Sequence, residues 1–412
     1  MTFPLKSSRI LLFMFVLTAC QNKGGNEHQS LVETNEHSLV LDSLTRDLES
    51  ISEAGNIVGF SVALVDQNQT YYMQGFGSAE AELGNEYSET TIQNVASISK
   101  TFIGVALLKA QELQLLKLDD PINEYLPFEV KNPFSPNEPI TIRHLATHTS
   151  TIKDTQYYGD KSYVLKEENV IEDFGMYVSL NPPEEHMPMM DMMKNVLLKE
   201  GKWYDPAGFL ETKPGTDFEY SNIGATLAAV VLEQASGQKF DEFTSQHVFQ
   251  PLGMNATGWS FDQVNLAAHT KLYTSSRTQI PFYSLITYPD GGLITSVADL
   301  GKYLSELIRG SMGKGAVLKR ESYQELFQPQ LENEEHNEGI FMSLPPSGLV
   351  GHSGGDPGVS TFMFFDPKTK NGRILFANTE LDKDGEKQYR NILAKLKLYQ
   401  EKVIRNSKTD SH

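Results

Sequence analysis

Ser97-Ile98-Ser99-Lys100, followed by Thr101-Phe102-Ile103-Gly104-Val105-Ala106-Leu107-Leu108-Lys109-Ala110-Gln111, sets a hydroxyl and an amine one helical turn apart at the head of an apolar segment. The run is rich in good helix formers, so the pattern predicts a helix beginning at Ser97. Residues at i and i+3 share a helix face, which brings Ser97 and Lys100 together. A lysine in the first turn meets the positive end of the helix dipole, and partial burial acts the same way. Lys100 is therefore expected as a neutral base beside the Ser97 hydroxyl at pH 7. Two fixed positions in four also describe an ordinary capped helix start, so the pattern needs company before it means chemistry.

The 412 residues are 39% hydrophobic, which suits one large globular domain or two closely packed ones. A net charge of −18 without a Lys/Arg-rich run argues against nucleic acid as a partner and is read as solubility. The N-terminus reads as a targeting segment. Lys6 and Arg9 precede an apolar stretch, Ile10 to Leu17, too short to span a bilayer but right for a signal-peptide core. It ends in Leu17-Thr18-Ala19-Cys20, similar to a bacterial lipoprotein processing site, so residues 1–19 are expected as signal peptide and Cys20 as the lipidated residue. Cys20 is also the sole cysteine, so no disulfide is expected. The resemblance implies an anchor facing the periplasm, and Gln21, in place of a retaining Asp, favours the outer membrane.

Residues 21–37 are polar and aperiodic and read as a flexible tether. Leu41, Leu44, Leu48 and Ile51 then line one helix face. Gly59–Val65 and Thr70–Phe76 predict a hairpin about Asp66–Gln69, and Ser360–Asp366 with Gly372–Asn378 a second one. Between them, from about 101 to 280, the apolar spacing is mostly helical. A last helix carries Tyr389, Ile392, Leu393, Leu396, Tyr399 and Val403, and residues 406–412 read as a disordered tail. Strands at both ends with helices between predict one antiparallel sheet built from distant segments, an α/β (α+β) domain over about 38–405.

Three further motifs stand in order around that frame: Thr141 to Ser150 (TIRHLATHTS), Tyr220-Ser221-Asn222 at a helix start, and His352-Ser353-Gly354-Gly355 before the last hairpin. With Ser97-x-x-Lys100, Leu118-Asp119-Asp120-Pro121 and Pro251-Leu252-Gly253-Met254, the chain resembles the penicillin-binding protein and class C β-lactamase-like serine hydrolases from about Gly59 to Asn378. That group includes D-alanyl-D-alanine carboxypeptidases, D-aminopeptidases and esterases. The resemblance implies a β-lactamase/transpeptidase-like fold with an inserted helical region. It implies Ser97 as nucleophile, Lys100 as its close base and Tyr220 as second proton carrier. Asn222 would bind substrate and orient Lys100, and the backbone N–H groups of Ser97 and Gly355 would hold the oxyanion. Attack on a carbonyl needs these parts, and a phenol of ordinary pKa near 10 serves only beside a cation such as Lys100.

His352 departs from the Lys usual in β-lactamases and carboxypeptidases of this type. A largely neutral imidazole holds a substrate carboxylate less firmly, so the sequence favours hydrolysis of an ester or a D-amino-acid-type amide over lactam hydrolysis or carboxypeptidase action. Thr151 stands where relatives often have Gly, with an expected effect on loop geometry. A peptide or small-molecule substrate, a lipid-anchored location, and no metal or organic cofactor complete the expectation. The competing reading is a non-catalytic penicillin-binding-like binding or sensor protein, disfavoured because Ser97, Lys100, Tyr220 and Asn222 are all present.

Gly351-His352-Ser353-Gly354-Gly355 fits the α/β-hydrolase nucleophile elbow, but the only later histidine is the terminal His412. His144 and His148 lack the Glu of a zinc helix and read as a structural element beside the site. His186 with Met187, Met189, Met190, Met192 and Met193 reads as adaptable apolar surface rather than a copper site, expected as a lid or acyl-binding wall.

Overall fold

The computed structural model describes residues 24–168, 177–331 and 337–409. Its centre is one antiparallel sheet of six strands: β1 (Gly59–Asp66), β2 (Thr70–Glu80), β3 (Asn85–Glu86), β4 (Val350–Asp356), β5 (Val359–Asp366) and β6 (Asn371–Ala377), ordered β4-β5-β6-β1-β2-β3. The two predicted hairpins are β1–β2 and β5–β6, joined in space by pairing of β1 with β6. Both turns use the same device. Asp66 Oδ1 accepts from the N–H groups of Asn68 and Gln69, and Asp366 Oδ1 accepts from that of Lys368.

Alternation along β1 divides the core. Phe60, Val62 and Leu64 pack beneath a pair of terminal helices, α1 (Gly24–Ser52) and α6 (Lys383–Thr409), against Leu44, Leu48, Ile392 and Leu396. Ala63 and Val65 face the other way, into the larger core beneath α5 (Val297–Ser311). Helices α2 (Ser99–Glu112) and α4 (Asn222–Ser236) lie within that larger core, apolar on nearly every side. A helix apolar all round has to be buried, and these two are.

Four expectations need correction. Residues 24–37, expected as a flexible aperiodic segment, are helical and continue α1, and α6 reaches Thr409, past the expected start of a tail. Cys20 and residues 1–19 lie outside the described residues. The region read as helical also holds short strand runs, Tyr163–Leu165, which pairs with Tyr283–Leu285 just beyond it, and Leu272–Tyr273 paired with Gln279–Ile280, all too short to show a period of two. The methionine segment is no lid. Met189–Leu197 forms helix α3, in which Met192, Met193, Val196 and Leu197 enter the main core. Met189 and Met190 line a surface depression with Glu233 and Gln234, at the end of α4 opposite Asn222.

Candidate active site

Ser97 sits one step earlier than a helix start. Ala96–Ile98 is a single 3₁₀ turn, α2 begins at Ser99, and Ala96 holds the left-handed φ of +49°. An alanine there is strained, and such strain directly before a nucleophile over-determines where its hydroxyl points. The surroundings hold the turn. Val95 donates its N–H to the Leu293 carbonyl, and Ser99 Oγ accepts from the Leu293 N–H. Gly354 of β4 presses on the turn from the other side, since a Cβ there would lie 2.5 Å from the Val95 oxygen and 2.9 Å from Ala96 Cβ.

The i, i+3 relation survives. Lys100, fully buried, donates from Nζ to Ser97 Oγ at 3.0 Å and to the Asp290 carbonyl at 2.7 Å. Its Nζ lies 5.1 Å from the centroid of the Tyr220 ring, so hydroxyl, amine and phenol share one cleft. The expected neutral amine is overturned. Burial pushes the Lys100 pKa down, but Tyr220, Asp290 and Asp154 together outweigh it, and the amine is held above its ordinary value. These neighbours favour the charged form of Lys100. The Asp290 carboxyl bears the converse cost: burial raises it to about 6, against the pull of Lys100 and of hydrogen bonds from Thr226 and Tyr158.

Tyr220 is presented by a loop tied to His148. Glu219 donates its N–H to the His148 carbonyl, Ser221 donates its N–H to His148 Nδ1, and the Tyr220 ring lies on the imidazole at 4.4 Å. Because Nδ1 accepts, the buried His148 is the neutral Nε2–H tautomer, and burial, Lys100 and His352 hold its pKa well below the usual value. His144 caps a short helix, its Nδ1 accepting from the Thr141 N–H. Both histidines are therefore structural supports of the site, as the sequence suggested.

Asn222 is the first residue of α4, behind the Ser221 cap, whose Oγ accepts from the Gly224 N–H. It does not orient Lys100; the Asp290 carbonyl does. The Asn222 amide is itself held by Asp154, whose carboxylate accepts from Asn222 Nδ2 at 2.8 Å, from the N–H groups of Asn222 and Ile223, and from Ser221 Oγ. Sequence reading missed Asp154 and Asp290. Asp154 follows the Thr-Ser turn by a few residues with no recognisable spacing to Ser221, and Tyr288-Pro289-Asp290-Gly291-Gly292 reads as a plain turn.

Strand β4 forms the other wall. Gly351 pairs outward with Ser343 through both its N–H and C=O, so two and four residues on, Ser353 and Gly355 present their backbone groups on the same edge of the sheet. The Gly355 N–H thereby stays outside the β4–β5 ladder, uncommitted, as an oxyanion donor has to be. Close approach, however, requires glycine at Gly354; a side chain at Gly355 would meet nothing within 4 Å. His352 lies 6.2 Å ring to ring from Tyr220. Its Nδ1 donates to the Ser353 carbonyl at 2.5 Å, leaving Nε2 as an acceptor. Burial first and Lys100 second lower its pKa to about 4.

The beta-lactamase family profile matches residues 44–397. The chain belongs to the beta-lactamase family. Among curated relatives, Protein flp of Staphylococcus aureus is 25% identical over 84% of this chain, which spans 64% of that protein's length. Penicillin-binding protein 4* of Bacillus subtilis is 26% identical, covering 82% of this chain and 72% of its own. The solved structure of EstCE1, described as a hydrolase with promiscuous acyltransferase activity, superposes with a TM-score of 0.64 at 19% identity, covering 87% of this chain and 99% of its own. That likeness shows the beta-lactamase/transpeptidase-like fold read from the sequence.

Proposed function

We propose that this beta-lactamase family member is a serine hydrolase working through an acyl-enzyme on an ester or a D-amino-acid-type amide. The observation that carries the reading is the convergence of Ser97 Oγ, the buried Lys100 ammonium and Tyr220 in one cleft. Lys100 and Tyr220 act as one proton-holding pair, ammonium beside phenolate, so Ser97 Oγ bonds to the substrate carbonyl carbon while its proton passes by way of Lys100 Nζ to the Tyr220 oxygen. The oxyanion is held between the N–H groups of Ser97 and Gly355. Collapse expels the alcohol or amine, which takes the proton from Tyr220. Water then repeats the cycle on the acyl-enzyme and frees Ser97.

His352 supports the choice of substrate. A neutral imidazole whose Nδ1 is already committed offers only a lone pair, which cannot clamp a carboxylate. This weighs against lactam hydrolysis and carboxypeptidase action, both of which act on substrates ending in a carboxylate. The envelope location stays part of the proposal: Cys20 is the lipid attachment point, with the domain facing the periplasm. Time-resolved labelling of residues 21–412 with a fluorophosphonate, followed by ester turnover, tests the mechanism. Label at Ser97 with many turnovers is expected. Label without turnover would favour the binding or sensor protein, and no label would remove Ser97 as nucleophile. Metabolic labelling with a palmitate analogue, lost in Cys20→Ser, checks the anchor.

A further inference from the structure

Asp356 directly follows the oxyanion glycine, and the catalytic chemistry above does not use it. It stands two residues after Gly354 and four after His352, so its side chain projects from the same face of β4. Its Oδ1 accepts from the Tyr163 hydroxyl at 2.6 Å. Its Oδ2 has no hydrogen-bond partner among the described residues and lies beside Gly291. A Cβ at Gly291 would sit 3.2 Å from that oxygen and 3.9 Å from the carbonyl carbon of Ala96, the residue before Ser97. The neighbouring Asp290 is different, because Tyr158 and Thr226 occupy its two oxygens. Asp356 is thus the acid with an open oxygen, and it is partly accessible.

Direction along β4 tells which part of a substrate would meet it. Tyr220, which serves the leaving group, stands at the His352 end. Asp356 stands at the other end of the Gly355 N–H, so the acyl portion runs past it. Aromatic side chains back it: the buried Tyr163 packs on the buried Tyr283 at 5.6 Å and on Tyr158 at 6.2 Å, and the Tyr283 hydroxyl pins the Pro357 carbonyl. A carboxylate oxygen held from behind and open on its other side suits an ammonium group, through a charge-assisted hydrogen bond.

Resting on the acyl-enzyme reading above, we propose that Asp356 is the specificity determinant for the acyl group, selecting substrates that carry a free amine next to the reacting carbonyl. Burial, opposed by the Tyr163 hydrogen bond, lifts the Asp356 carboxyl to about 7, so an arriving ammonium would also stabilise its charged form. The proposal narrows the substrate class to aminoacyl esters and amides with an unblocked amino group.

The test compares D- and L-alanine ethyl ester with ethyl isobutyrate, in which a methyl replaces the ammonium, at pH 7 by NMR. The unmodified protein is expected to favour one alanine ester in kcat/KM by about tenfold or more. Asp356→Asn should lower that ratio by about tenfold or more; the ammonium's own activation of the ester is common to both proteins, and because the ratio is internal a general loss of activity does not mimic the result. A ratio near one in the unmodified protein, or one unmoved by Asp356→Asn, overturns the proposal. If no ester is turned over, the hydrolase reading fails separately. The selectivity is then read from fluorophosphonate labelling of Ser97, which alaninamide should slow at lower concentration than isobutyramide. Equal protection by the two amides overturns it.

Discussion

Helices α2 and α4 both point their N-termini into the cleft, and they are built in opposite ways. The α2 start has no side-chain cap, follows a left-handed Ala96 and buries a lysine. The α4 start has Ser221 as cap and the Asp154 carboxylate accepting four hydrogen bonds from residues 221–223. Orphan N–H groups at a helix start demand acceptors, and a carboxylate there also suits the dipole. The uncapped end leaves its groups available to a reacting oxygen. The capped end is a rigid frame that sets Tyr220 and Asn222 opposite. Chemistry and stability are thus divided between two helix termini, one poorly satisfied and one fully satisfied.

Substitutions can break this division. Ser97→Ala should abolish ester turnover and leave the melting temperature unchanged or raised; residual turnover at the original pH optimum would mean another nucleophile. Lys100→Ala should cost about 10²–10⁴ in kcat, measured with an activated ester. Asp154→Ala should do what Ser97→Ala does not. It should lose about 2–4 kcal/mol of stability in urea unfolding and reduce kcat/KM by about 10–100-fold, with Asp154→Asn recovering part of both. Stability unchanged in Asp154→Ala would show that α4 needs no clamp.

Smaller effects sharpen the comparison. His352→Lys should raise activity on substrates ending in a carboxylate by about tenfold relative to neutral ones, because a fixed cation replaces a lone pair; unchanged selectivity in paired kcat/KM measurements would separate His352 from substrate choice. Thr151, expected from sequence to alter the loop, adopts φ +72° beside the site, with its Oγ1 accepting from Asn132 Nδ2. Thr151→Gly relieves a β-branched residue in the left-handed region but loses that bond. The net should be a gain of about 0.5–1 kcal/mol in thermal unfolding.

What the amino-acid order determined by itself was local. The hairpins were legible because alternation with a period of two and an aspartate in each turn are properties of adjacent residues. Ser97 and Lys100 were legible because three residues along a helix is a fixed distance, and the motif order around them identified the family. The tertiary structure decided everything that depends on who faces whom. It placed Asp154 under Asn222 and Asp290 against Lys100, sent the methionines into the core, and kept Lys100 charged although helix start and burial alone predicted a neutral amine. A pKa and a hydrogen-bond partner are set by groups that meet across tens or hundreds of residues, and no spacing in the chain encodes that meeting.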